Sequence, residues 1–164
     1  MDRYHYTECG LDYVWLLNGF EHVETGYGEA VRIENVEGLH RMLGEHVARL
    51  DRPLSGAEVR FLRESMELSQ RELGELLGLS DGQQIMKVEG GRQGLRASAD
   101  QSLRALYLEH AHSDVRLEVR RLLSALRDAA AGEGADPPAP TPLELEASEH
   151  AWRALAKGRG GAHV

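Results

Sequence analysis

Apolar residues recur along this chain at two different spacings, and the change from one to the other falls near residue 33. Before it the apolar runs are short, rich in Tyr, Val and Ile, and punctuated by glycine: Tyr4-His-Tyr6, Val14-Trp-Leu-Leu17, Phe20-Glu-His-Val23 and Ala30-Val-Arg-Ile33. Such runs read as strands, and Asn18-Gly19 between two of them is a strong hairpin signal. The pattern predicts a small antiparallel sheet of three or four strands. After it Val36, Leu39, Leu43, Val47 and Leu50 recur at helical spacing, which predicts a helix over about 36–50 covering one sheet face. Asp51-Arg-Pro53 ends that helix and marks a domain joint, leaving residues 1–50 as a sheet-plus-helix accessory domain.

From Ser55 onward the helical period holds. Val59, Leu62 and Met66 form one stripe, Leu73, Leu76 and Leu77 a second, Ile85 and Val88 a third, and Leu103 and Leu106 a fourth. Val115, Val119, Leu122, Leu123 and Leu126 predict a further helix over 114–130 that either dimerises the protein or closes the core of its own chain. Residues 54–131 therefore form a second, helical domain. Residues 132–142, with Pro137-Pro-Ala-Pro140, have linker composition. The last segment, 143–164, is expected as a short helix around Trp152 and a frayed tail.

Four Ser-x-x-(Glu/Gln) signatures refine the helix starts: Ser55/Glu58, Ser69/Glu72, Ser80/Gln83 and Ser98/Gln101. In each, serine can accept from the third helical amide while the longer side chain reaches back to the cap amide. Gly78 stands where the helix opened by Ser69 must stop in left-handed geometry. So short a turn between Gly78 and Ser80 forces the two helices to cross steeply, the arrangement of a helix-turn-helix. The second helix of the pair, expected over 80–89, is then the reader. With Ile85 and Val88 inward, Gly82, Gln83, Met86 and Lys87 lie on or near the opposite face and Gln84 to one side. Gln bonds adenine N6 and N7, and Lys donates to guanine O6 and N7. A plainer role also fits, with Gln83 closing its capping box and Gln84 solvated. Ser69, Gln70 and Ser80 suit phosphate contacts at helix N-termini, and Arg92 and Arg96 suit the neighbouring backbone. Glu89 suits a structural role turned toward the packed helices.

Composition narrows the classes. A 164-residue chain with 41% hydrophobic residues can bury a core. No apolar run reaches the roughly 20 residues that span a bilayer, and the N-terminus lacks a signal-peptide layout, so the cytoplasm is the expected location. The net charge of -8 opposes DNA binding in bulk, but residues 1–50 hold 9 acidic and 4 basic side chains, whereas residues 51–111 hold 10 and 8. Eight histidines and the single Cys9 raise a metal question. His5, Cys9 and His22 match no tight ligand spacing, so no metal or cofactor is expected. Phosphate-loop, nucleophile-elbow and His-Glu-x-x-His patterns are missing from the sequence, and no enzyme is expected.

Residues 56–110, through Leu68-Ser-Gln-Arg-Glu-Leu-Gly-Glu-Leu-Leu-Gly-Leu-Ser80 and Ile85-Met-Lys-Val-Glu-Gly-Gly91, resemble the Xre/Cro family of bacterial and phage regulators. That resemblance implies a five-helix domain whose third helix enters the major groove, usually as a homodimer on a palindromic operator. Asp81-Gly82 lengthens the start of the reading helix by one residue, and Val88 stands where Trp or Leu is common. Tyr6-Thr-Glu-Cys-Gly-Leu-Asp-Tyr-Val-Trp-Leu-Leu-Asn-Gly-Phe20 is similar to the first strands of MqsA-type antitoxins, whose N-terminal domain is held by four cysteines on zinc where this chain has one. The expected fold class is thus mainly α with a small N-terminal α+β domain. The expected function is a DNA-binding repressor that regulates its own or a neighbouring operon. The alternative is an antitoxin-like protein that neutralises a toxin through residues 1–50.

Overall fold

The computed structural model describes residues 2–111 and 140–155. The chain is a mixed α+β protein whose residues cluster into two units, Met1–Met42 with Pro140–Val164, and Leu43–Ala139.

In the first unit, β1 (Tyr4–His5), β2 (Val14–Leu16), β5 (Leu143–Ala147) and β6 (Trp152–Ala154) form one sheet in that order. β2 and β5 run parallel, Val14 opposite Leu143 and Leu16 opposite Leu145, and the outer pairs are antiparallel. Val14, Leu16 and Leu145 are fully buried, with Leu143 and Trp152 nearly so. The Trp152 indole N–H donates to the carbonyls of Glu34 (3.1 Å) and Asn35 (3.2 Å). The short helix expected around Trp152 is therefore replaced by two strands, Leu143–Ala147 and Trp152–Ala154. Leu143-Glu-Leu-Glu-Ala147 alternates apolar and charged residues with period two, and a partner strand to pair with decides in favour of that period.

A second sheet is the hairpin of β3 (Phe20–Thr25) and β4 (Gly28–Ile33). Its turn is Gly26-Tyr27, with Thr25 Oγ1 donating to the Gly28 carbonyl at 2.8 Å, so the expected hairpin across Asn18-Gly19 does not form. Those two residues grip the C-terminal strands instead. The Asn18 amide bonds both the N–H and the carbonyl of Ala147, and Gly19, at φ +73°, lies so close to Trp152 and Ala147 that a Cβ would stand 2.7 and 2.8 Å from their side chains. α1 spans Val36–Ala48, and its stripe of Leu39, Leu43 and Val47 is buried while Val36 is exposed.

The second unit holds α2 (Gly56–Ser65), α3 (Gln70–Leu76), α4 (Gln83–Glu89) and α5 (Ala97–His110). Capping boxes close at Ser55/Glu58 and Ser69/Glu72. The other two do not form. α4 starts later than expected, at Gln83 behind Gly82, and α5 starts at Ala97, one residue before Ser98. The extra turn residues Asp81-Gly82 displace Ser80 from the cap, and Asp81 Oδ1 accepts from the Gln83 amide at 3.0 Å in its place. Val59, Leu62, Leu73, Leu79, Ile85, Val88, Leu103 and Leu108 form the core. Leu76, expected in the α3 stripe, is 56% exposed, and its place is taken by Leu79 beyond the turn.

The expected joint at 51–53 is a fixed segment inside this unit. The Arg52 guanidinium grips the buried Glu58 carboxylate through two bonds of 2.7 and 2.8 Å. Arg104 donates to the carbonyls of Leu50 and Arg52 and to Asp100 (2.6 Å), and Asp100 accepts from the Leu54 amide (2.9 Å). The helix expected over 114–130 lies outside the described residues, as does most of the linker.

Candidate nucleic-acid interface

The α3-turn-α4 pair is built as a rigid corner. Gly78 turns the chain at φ +72°, and Leu79 N–H donates back to the Gly74 carbonyl at 2.8 Å. The loop then runs hard against α3: a Cβ on Gly74 would stand 2.7 Å from the Asp81 carbonyl oxygen, and one on Gly82 would stand 2.8 Å from the Arg71 nitrogen. Glycine at both positions lets the two backbones touch, which fixes the crossing of α4 over α3.

Charge locks the far end of α4. The Glu89 carboxylate, 5% exposed, accepts from Arg63 Nη2 (2.7 Å) and Nε (3.0 Å) on α2 and from Gln70 Nε2 (3.0 Å) on α3. Arg63 also donates to the Leu68 carbonyl at 2.8 Å. Three helices thus meet in one network, and Glu89 is turned inward as a structural group. Gln70, assigned to phosphate by the sequence, has its amide N–H2 committed to this network.

The outward face of α4 is open. Ile85 and Val88 are buried, while Gln83, Met86 and Lys87 are exposed and Gln84 is half-buried. An open cleft of about 500 Å³ borders this face, lined by Gln70 and Arg71 from α3, Ser80 and Asp81 from the turn, and Gln83 and Met86 from α4. Structure and sequence agree on Gln83 and Lys87 as exposed side chains of one face, with Gly82 half-buried against α3 and Ser69 exposed at the cap of α3. Ser80 is exposed but caps nothing, and the Asp81 carboxylate that does the work would repel a phosphate there. Arg92 and Arg96 are exposed in the loop between α4 and α5.

The sequence pattern did not single out Arg71 of the cleft, which stands exposed on the first turn of α3, paired with Glu75 at 3.2 Å. Its signal was its place next to Gln70 at the opening of α3. Met86, expected on the outward face, is exposed there between Gln83 and Lys87.

The metal candidates of the first unit are dispersed. His5 stacks on Trp15 (4.2 Å between ring centres) and bonds the Asp12 carbonyl, His22 packs edge-on against Tyr4 and Phe20, and the Cys9 thiol faces the carbonyls of Tyr6 and Leu11. Burial pushes the Cys9 thiol up, opposing the thiolate that a metal needs. Among the described residues no three His, Cys, Asp or Glu side chains gather as ligands, and the residues present do not fit the zinc centre of the antitoxin domains.

Comparison with family models, with curated proteins and with solved structures returned no match. No helix among the described residues is long and apolar enough to cross a membrane.

Proposed function

We propose that this chain is a sequence-specific DNA-binding regulator of transcription that acts in the cytoplasm and reads the major groove with α4. The observation that carries the reading is the two-sidedness of α4. One face, through Ile85, Val88 and Glu89, is locked to α2 and α3; the other holds out Gln83, Met86 and Lys87. A helix held through its buried face, with Gln and Lys on its free face, supplies bidentate partners for purine edges. Arg71, Arg92 and Arg96 serve the phosphates, and binding weakens with salt because each phosphate contact releases counterions. Repression of its own or a neighbouring operon from a palindromic operator, as a homodimer, follows as the regulatory form.

Selection of bound duplexes from a random pool tests the reading. An enriched consensus is expected, on which Gln83→Ala and Lys87→Ala each cost about 1–3 kcal/mol and on random DNA much less. Failure to enrich any sequence refutes it.

A protein-binding role for the first unit has one observation behind it. At the tip of β3–β4, Tyr27 is fully exposed, and just below it Glu24 stands directly opposite Glu29, a like-charge pair that costs stability in a hairpin. An antitoxin-like role predicts a neighbouring open reading frame whose product is toxic alone and tolerated with this chain. A Tyr27→Ala variant that still protects fully would remove the hairpin from that role.

A further inference from the structure

Met86 is half exposed on α4, one turn beyond Gln83 and next to Lys87. It is not core, since Ile85 and Val88 fill that side, and it lines the cleft together with Gln83. Its thioether has no donor and only a weak acceptor, so it gains nothing from the purine and cytosine edges that Gln and Lys address. The floor of a major groove carries one apolar group, the C5-methyl of thymine. An unbranched side chain with three rotatable bonds can close over such a methyl from a range of helix positions.

We propose, resting on the DNA-reading role assigned to α4 above, that Met86 is a specificity-determining residue that packs on a thymine methyl adjoining the base pair read by Gln83 or Lys87. Each half-site then holds a thymine that is distinguished from cytosine and from uracil by apolar contact. Covering one methyl group is worth roughly fourfold in affinity.

The experiment uses the full chain and the enriched duplex, with each thymine replaced in turn by deoxyuridine, which removes only the methyl. Wild-type protein should lose about fourfold at one thymine per half-site and little at the others. Met86→Ala should bind the thymine duplex about fourfold more weakly and no longer distinguish it from the uracil duplex, while Met86→Leu keeps the discrimination. Met86→Gln, of similar length and equally exposed, keeps the fold and loses the discrimination. Two results overturn the inference and leave the DNA-reading role standing: no methyl-sensitive thymine although Gln83→Ala still weakens binding, or undiminished methyl sensitivity in Met86→Ala. If no duplex is enriched at all, the DNA-reading role fails and this inference with it.

Discussion

Replacing Glu89 with alanine removes the carboxylate on which α2, α3 and α4 converge. What it leaves behind sets the magnitude. The Arg63 guanidinium is 12% exposed and would keep one good bond, to the Leu68 carbonyl at 2.8 Å, and a distant carboxylate, Glu64 at 3.8 Å. Stripping one partner from a buried pair costs about 3–5 kcal/mol, and the surviving contacts place this case near about 3 kcal/mol. For a unit of this size that corresponds to a fall in Tm of roughly 12–24 °C. The two units can be followed separately, because Trp15 and Trp152 both belong to the first and most helical residues to the second. Helical circular dichroism in a urea titration should shift to a lower midpoint with unchanged slope, while tryptophan fluorescence stays in place. Arg63→Met combined with Glu89→Leu should recover most of the loss, since an apolar pair of similar volume avoids the stranded charge. A loss below about 1 kcal/mol for Glu89→Ala would show a network solvated enough to be dispensable, and the locked orientation of α4 would need another cause.

Gly82→Ala puts a Cβ 2.8 Å from the Arg71 nitrogen, so it should cost about 1–3 kcal/mol in helical unfolding and weaken specific DNA binding, whereas Gly94→Ala, in open space, should do neither. Leu145→Asp places a charge among fully buried residues of the β2–β5 pair and should cost more than about 4 kcal/mol, seen as loss of native tryptophan fluorescence with the helical transition unmoved; a shift in the helical transition alone would contradict the discontinuous first unit. Burial lowers the His40 pKa below its usual 6.5, and its Nε2 takes a 2.7 Å bond with the Tyr6 hydroxyl. The unfolded chain therefore binds the proton first, so stability from this group is present above pH 6.5 and lost as pH falls below it. Fluorescence-detected unfolding at pH 7 and pH 5 should show the loss in wild type and a smaller one in His40→Gln.

Local signals were legible where the chain decides its own shape. Ser55/Glu58 and Ser69/Glu72 specify caps within four residues, and Gly78 specifies a turn by its own φ, so α2, α3 and the corner after them follow from sequence. Ser80/Gln83 carried the same letters and failed because Asp81, with a better-placed oxygen, competes for the same amide. The long-range pairings had no local trace. Nothing near Asn18-Gly19 indicates that its amide will meet Ala147, and nothing near Arg63 indicates that its partner is Glu89. Leu143–Ala147 is short enough to satisfy either period until β2 is beside it.

The interleaving of the two units also dictates an order of synthesis. β2 is made early, but the strand that lies parallel to it, β5, follows the whole helical unit in the chain, and the Trp152 ring that packs on Gly19 comes later still. Domains fold as units while the ribosome adds about 5–20 residues per second, so the helical unit can close first while β1 and β2 wait for several seconds with one edge unpaired. An exposed edge is the template for unwanted strand pairing. The cell must therefore finish the last strands before the first ones are safe, and translation stalled between residues 111 and 140 should leave a nascent chain prone to aggregate because β2 still lacks β5.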